Sequence, residues 1–139
     1  MILLRNSNEN DLAAVTDLWA ECGLVAPWNN PESDFNLALA SPSSAILVLE
    51  ENQQIVATVM VGLDGHRGWF YYLAVKPEFQ KVGLGRQIVE AGEDWLKERS
   101  CPKAMLMVRH ANSKVIDFYK QLGYKMHEVS VFGKRFDGN

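Results

Sequence analysis

Residues 69–99, WFYYLAVKPEFQKVGLGRQIVEAGEDWLKER, constrain the fold more than any other stretch of this chain. The first seven, Trp69 to Val75, carry no charge and are mostly aromatic or aliphatic, which predicts a central strand buried on both faces of a sheet. Pro77 has no N–H to donate and ends that ladder. Gly83-Leu84-Gly85 comes next, and a helical pattern follows without interruption. It sets Leu84, Ile88, Ala91 and Trp95 on one stripe and Val89, Gly92 and Leu96 beside it, leaving Glu90, Glu93, Asp94, Lys97 and Glu98 outside. A glycine inside a helix costs about 1 kcal/mol relative to alanine, so Gly92 predicts close approach of this helix to the sheet.

Strand, glycine turn and helix in that order suggest an anion cradle. The first turn of a helix leaves N–H groups unpaired and carries the positive end of the helix dipole, so a phosphate fits there. Glycines at 83 and 85 remove side chains that would block the backbone and can take positive φ at little cost. Lys81 and Arg86 flank the turn and can add charge-assisted hydrogen bonds to a diphosphate. A P-loop run is absent, and a Rossmann fingerprint needs a third glycine where Ile88 stands and a shorter link from the strand. What remains, Gln80-x-x-Gly83-x-Gly85 after a hydrophobic strand, resembles the pyrophosphate signature Q/R-x-x-G-x-G/A of the GNAT family of acetyl-coenzyme A dependent N-acetyltransferases. It departs from that signature nowhere. The resemblance implies acetyl-coenzyme A as co-substrate, bound by Gln80, Lys81, Val82, Gly83, Leu84, Gly85 and Arg86.

With 139 residues the chain is long enough for one domain, 1–139, with a substantial core. Asp and Glu outnumber Lys and Arg by 17 to 14, and the net charge of -3 argues against nucleic acid as a partner. The N-terminal apolar run is too short for a signal peptide and no run approaches a membrane span; a cytoplasmic protein without membrane contact is expected. Cys22 and Cys101 lack CxxC spacing, so two reduced thiols and no metal site are expected.

In chain order, Ile2 to Arg5 predicts a first strand. Asn8 with Asp11 starts a helix that runs at helical spacing to Gly23. Asn30 and Pro31 suit the cap and first position of a second helix through Ala40. Between these helices stands Trp28, either a plug under the loop or, by the GNAT resemblance, a lining of the acceptor pocket together with Asn29; Tyr71 of the central strand is a third substrate-side candidate. Ala45–Glu50 and Ile55–Leu63 predict a hairpin joined at residues 51–54, and Asp64-Gly65-His66-Arg67-Gly68 turns the chain into the central strand, giving an antiparallel meander. Ala104–Val108 must run parallel to the strand at 69–75, because a helix connects them. Asn112 caps a last helix closed by Gly123, and Tyr124–Lys134 supplies the final strand or strands. The order also resembles the GNAT fold: α/β (α+β), a mixed, mostly antiparallel sheet of six or seven strands flanked by about four helices. Asn112…Phe118-Tyr119-x-x-x-Gly123-Tyr124 resembles a second family signature, and the DGHRG turn is similar to that of the small bacterial YpeA-like members. Dimerisation through the last strands would follow from the likeness alone.

Asn112 and Tyr119 lie seven residues apart, about twenty degrees short of two helical turns, and so share one stripe. Tyr119 is a natural core aromatic beside Phe118 and Leu122. By the resemblance it would instead donate a proton to the leaving coenzyme thiolate, with Asn112 holding the pantetheine arm or a water. A thiol near 8.5 and a phenol near 10 make full transfer about 2 kcal/mol uphill, so hydrogen-bond stabilisation of the thiolate is the larger effect. The resemblance further implies direct attack of a neutral amine on the thioester. A backbone N–H at a strand bulge around Leu73, Ala74 and Val75 would hold the oxyanion, and the same strand would pair with pantetheine. A lysine-like acceptor needs about 4.6 kcal/mol for deprotonation at pH 7 and an α-amine about 1 kcal/mol. Some GNAT enzymes place a glutamate in the central strand, and none stands between Trp69 and Val75. Asp64 and His66 are the nearest bases, although Asp-Gly is equally a turn signal. The weak base leans towards acceptors of low pKa, a small-molecule amine or a protein α-amine at an N-terminus. A non-catalytic acetyl-coenzyme A sensor or interaction module is the alternative, against which Tyr119 and Asn112 argue.

Overall fold

The computed structural model describes residues 1–80 and 82–138; Lys81, expected at the cradle, lies outside the described residues, as does Asn139. Two compact units are present, Met1–Met107 and the segment from Val108 onward.

In the first unit, β1 (Ile2–Asn6), β2 (Ser44–Glu51), β3 (Gln54–Leu63), β4 (Gly68–Val75) and β5 (Ala104–Leu106) form one sheet in the spatial order β1-β2-β3-β4-β5. The first four run antiparallel to their neighbours, and β5 pairs parallel with β4, Gly68 opposite Ala104 and Phe70 opposite Leu106. The β2–β3 hairpin closes through Asn52 and Gln53, both at positive φ (50° and 64°), the twist a two-residue hairpin turn requires. Helix α1 (Leu12–Glu21) follows a 3₁₀ turn at Glu9–Asp11. Asn8 accepts there from the Asn10 N–H at 2.9 Å while Asp11 accepts from the Asn8 N–H at 2.8 Å, a reciprocal cap. Helix α2 (Pro31–Ala40) starts as expected, with the Asn30 side chain accepting from the Ser33 N–H at 3.1 Å.

Helices α1 and α2 cover one sheet face, where Val15, Leu18, Trp19, Phe35 and Ala38 pack with Ile46, Val48 and Ala74. Helix α3 (Leu84–Glu98) buries Leu84, Ile88, Val89, Ala91, Gly92, Trp95 and Leu96, all seven of the two expected stripes. It lies close to β4: a Cβ on Gly92 would meet Phe70 Cε1 at 2.8 Å, and one on Gly68 would overlap the Leu96 side chain. The close approach expected from Gly92 is therefore real, and alanine's extra methyl is what the sheet excludes.

Three expectations change. Strand β4 is not buried on both faces, because Tyr71 is 42% exposed and Trp69 half-buried. Strand β5 ends at Leu106, short of Val108. No strand forms over Tyr124–Lys134, so the sheet has five strands among the described residues; from Lys125 onward every described residue is exposed, without the burial that would stabilise a strand.

In the second unit, helix α4 (Ser113–Gln121) is capped by the Asn112 side chain accepting from the Val115 N–H at 3.4 Å. It is closed by Gly123 at φ +94°, with the Tyr124 N–H reaching the Tyr119 carbonyl at 3.0 Å. Among the described residues, no helix is long and apolar enough to cross a membrane.

Candidate active site

The glycine turn forms where the sequence places it. Gly83 is the N-cap of α3 in the left-handed region, φ +87° and ψ 5°, with open space around the position of a Cβ. A left-handed N-cap without a side chain is a role for glycine. Among the described residues no side chain caps this helix end, so its first N–H groups are left for an outside acceptor. Gly85 lies inside the first turn of α3, and positive φ belongs to Gly83 alone of the two. Val82 is 68% exposed on the turn while the Leu84 side chain is in the core. Arg86 is exposed and 3.8 Å from Glu90, a contact weak enough to leave its guanidinium available. The Gln80 amide donates to the Val75 carbonyl at 2.9 Å, tying the turn back to the end of β4. That carbonyl also accepts from the Cys22 thiol at 3.3 Å, and burial raises the thiol above its ordinary pKa.

Strand β4 carries a bulge. Met60 of β3 stands opposite Tyr71 and Thr58 opposite Ala74, so Tyr72 and Leu73 together face the single residue Val59. Tyr72 adopts φ +52°, rare for a side chain of this size and costly without support. Support comes from buried polar groups. The Thr58 hydroxyl donates to the Tyr72 carbonyl at 3.0 Å and accepts from Trp19 Nε1 at 3.1 Å, with Thr58 and Trp19 fully buried. The Tyr72 ring stacks on Trp19 at 3.8 Å between centroids, and its hydroxyl donates to Asp34 Oδ2 of α2 at 2.5 Å. Burial, then the Asp34 hydrogen bond, push this phenol far above its usual value.

The bulge also decides which side chains share a face. Met60 and Thr58, two apart on β3, point the same way, and so do their partners Tyr71 and Ala74. Tyr72, stacked on Trp19, joins them, and Leu73 alone turns the other way. Trp69 and Tyr71 stack at 6.5 Å and 16° on this face.

The Asp64 carboxylate is engaged in the turn before β4. Oδ1 accepts the N–H groups of His66 at 2.8 Å and Arg67 at 2.7 Å, and Oδ2 accepts Trp69 Nε1 at 3.1 Å. The Arg67 and His66 N–H groups hold its pKa below the ordinary carboxylate value, which favours an anchor over a proton acceptor. His66 is exposed on the same turn. Partial burial, then the Asp64 charge, raise the Tyr71 phenol. Trp28 is 49% exposed and does not plug the core; Asn29 donates its N–H to the Ala26 carbonyl at 3.0 Å in the same loop.

In the second unit Tyr119 is 7% exposed and burial lifts its phenol far above the ordinary value. Its ring meets Phe118 and Tyr124 edge-on at 5.1 and 5.5 Å. Asn112 is exposed, with its side-chain oxygen engaged as the helix cap.

The sequence profile of the acetyltransferase (GNAT) family matches residues 12–124, from the start of α1 to three residues past the end of α4. The chain belongs to the GNAT acetyltransferase family. A relative, an acetyltransferase of Pectobacterium atrosepticum, is 42% identical over 132 residues, 95% of this chain and 94% of the relative. Among solved structures, the aminoglycoside N-acetyltransferase AAC(6')-Iy in complex with CoA superposes with a TM-score of 0.83 at 15% identity, covering 98% of this chain and 95% of that one. A predicted acetyltransferase from Clostridium acetobutylicum with acetyl-CoA gives 0.78 at 18% identity over 96% of both chains. Glucosamine-6-phosphate N-acetyltransferase from Arabidopsis thaliana gives 0.76 at 23% identity over 99% of both. At these identities the structural likeness speaks for the GNAT fold.

Four residues around the β4 bulge escaped the sequence reading: Trp19, Asp34, Thr58 and Tyr72. Each lies in an ordinary helix or strand pattern, and only the pairing of β3 with β4 shows that they meet. The adjacent tyrosines 71 and 72 were the available signal, since a regular strand sends neighbours to opposite faces.

Proposed function

We propose that this chain transfers the acetyl group of acetyl-coenzyme A to a primary amine by direct attack within a ternary complex. The acceptor is a small-molecule amine or a protein α-amine, and the setting is cytoplasmic. The observation that carries the reading is the bulged strand β4 running through the Gln80 tie into an uncapped helix opened by Gly83. Such an N-terminus suits a diphosphate, and the open space at Gly83 leaves room for one. Acetyl-coenzyme A, when bound, supplies the activated acetyl group.

In this reading Val82, Gly83, Leu84 and Gly85 offer backbone N–H groups to the diphosphate, and Lys81 and Arg86 add charge. Leu73, Ala74 and Val75 offer strand backbone to the pantetheine arm, and an N–H at the bulge stabilises charge developing on the thioester oxygen. By the family's second signature, and not by a placement relative to β4, Asn112 and Tyr119 are assigned to the pantetheine and sulfur end. The raised pKa of Tyr119 keeps its hydroxyl a donor across the working pH range, so it acts by hydrogen bonding to the thiolate more than by full proton transfer. Asp64 orders the acceptor-side turn, and His66 beside it is the remaining imidazole for proton removal through water.

Calorimetric titration with acetyl-coenzyme A, with ATP and NAD as controls, followed by thiol release over an amine panel, tests the reading. Binding of acetyl-coenzyme A alone, with thiol release by some amine, is the expected result; no binding would overturn it. Tyr119→Phe is expected to lower kcat by about tenfold or more with little change in acetyl-coenzyme A KM. An unchanged kcat removes Tyr119 from the chemistry.

A further inference from the structure

The Tyr72 carbonyl accepts from the Thr58 hydroxyl of β3 at 3.0 Å. A trans peptide sets its C=O and N–H on opposite sides, and no peptide bond among the described residues is cis, so the Leu73 N–H is turned away from β3. On that side β5 pairs with β4 only from Gly68 to Phe70, and among the described residues no strand pairs with β4 beyond it. The bulge thus aims one backbone donor at an open edge. That aim depends on Tyr72 at φ +52°, and relaxation to the ordinary strand region would swing the peptide that follows. Thr58 grips the backbone and Trp19 stacks on the ring at 3.8 Å. The remaining hold comes from another element: the phenol donates to Asp34 Oδ2 of α2 at 2.5 Å, a charge-assisted bond. Asp34 is itself well anchored. Its N–H donates to the Asn30 carbonyl at 3.0 Å, and the next residue, Phe35, is fully buried with its ring 6.4 Å from that of Trp19.

We propose that Asp34 is a positioning residue for acetyl transfer: through the Tyr72 phenol it holds the bulge so that the Leu73 N–H faces the thioester oxygen of acetyl-coenzyme A. The inference rests on the acetyl-transfer reading and names both the donor at the bulge and the side chain that aims it. Asp34 acts through Tyr72 and not on the reacting atoms. As the neutral amine nitrogen forms the C–N bond, negative charge moves onto the thioester oxygen and returns as the C–S bond breaks; the nitrogen's surplus proton passes to solvent and the coenzyme sulfur takes up one. A donor held in place before the charge appears stabilises it without reorganising. A slack bulge would have to tighten during the reaction, and the rate would fall.

The test reads the thioester itself. Difference infrared spectra of acetyl-coenzyme A labelled with heavy carbon at the thioester carbonyl are recorded bound to the full chain and to its Asp34→Ala, Asp34→Asn and Tyr72→Phe variants, and thiol release is then measured with the best amine of the panel. A hydrogen bond lowers the carbonyl stretching frequency, so the parent is expected to show the lowest value, with Asp34→Ala and Tyr72→Phe shifted upward together. Outright loss of an oxyanion donor costs about 10²–10³ in kcat; a donor loosened and not lost is expected to cost about tenfold in each of these two variants, with acetyl-coenzyme A KM within about twofold. Asp34→Asn keeps an oxygen for the phenol and should recover both readouts. The double variant Asp34→Ala/Tyr72→Phe should be no worse than either single one, because each removes the same bond. Tyr72→Phe keeps the ring on Trp19 and carries the test should Asp34→Ala fail to fold. A stretching frequency and kcat that stay at the parent values in the folded variants, even with a lowered Tm, give Asp34 a structural role alone; that result overturns this inference and leaves acetyl transfer standing. Failure of the parent to bind acetyl-coenzyme A overturns both.

Discussion

Replacing Thr58 by valine keeps the side-chain shape and deletes the hydroxyl that joins Trp19 to the Tyr72 carbonyl. The Trp19 partner, at 3.1 Å, is fully buried and the Tyr72 carbonyl, at 3.0 Å, is on a half-buried residue, so the loss of the hydroxyl leaves the indole N–H without a replacement. Each polar group left without a partner costs about 1–3 kcal/mol, and the added methyl returns about 0.8 kcal/mol. With two such groups, Thr58→Val is therefore expected to destabilise the chain by about 1–5 kcal/mol. With an unfolding entropy of about 0.3 kcal/mol/K for a chain of this length, Tm falls by roughly 4–17 °C. Thr58→Ser retains both hydrogen bonds and loses only a methyl, about 1 kcal/mol and roughly 3 °C. Differential scanning calorimetry of the three proteins separates the terms. Equal or higher Tm for the valine variant than for the serine variant would refute the reasoning, because packing and not hydrogen bonding would then support the bulge. In acetyl transfer the same pair carries a second readout: kcat should fall with valine and recover with serine, while acetyl-coenzyme A KM moves little.

Gly92→Ala gains about 1 kcal/mol of helix propensity but sets a Cβ 2.8 Å from the buried Phe70 ring, an overpacking worth about 1–3 kcal/mol. Net destabilisation of about 1 kcal/mol is expected in urea titration, and a double-mutant cycle with Phe70→Leu should recover part of it. Near the N-terminus, Arg5 donates to Asp11 at 2.8 Å and to Glu50 at 2.9 Å, and the Arg5 hydrogen bond holds the Asp11 carboxyl below its ordinary 3.8. A carboxylate with a lowered folded pKa contributes its stability above the unfolded value and loses it as pH falls through the folded one. The urea midpoint of the parent chain should thus exceed that of Asp11→Asn at pH 6, and the gap should close as pH falls below the ordinary carboxylate value and through the lowered folded one. A gap independent of pH would refute the ion pairing.

What the amino-acid order determined by itself is what depends on near neighbours. The seven-residue stripe of α3, the caps at Asn8, Asn30 and Asn112, the glycine ends at Gly83 and Gly123 and the close approach at Gly92 all follow from spacing and local backbone chemistry. Those features are set within one or two turns of chain, so periodicity and capping rules expose them. The strand expected over Tyr124–Lys134 did not form, because alternation alone supplies neither a partner edge nor burial. The open face of β4 was equally hidden, since seven uncharged residues read the same whether a helix covers them or not. Only tertiary pairing decided the bulge. An extra residue opposite Val59 turned Tyr72 onto the face of Tyr71, and from that one shift follow the stack on Trp19, the Thr58 bridge and the bond to Asp34. These partners lie 14 to 53 residues from Tyr72 along the chain, beyond the reach of any local pattern.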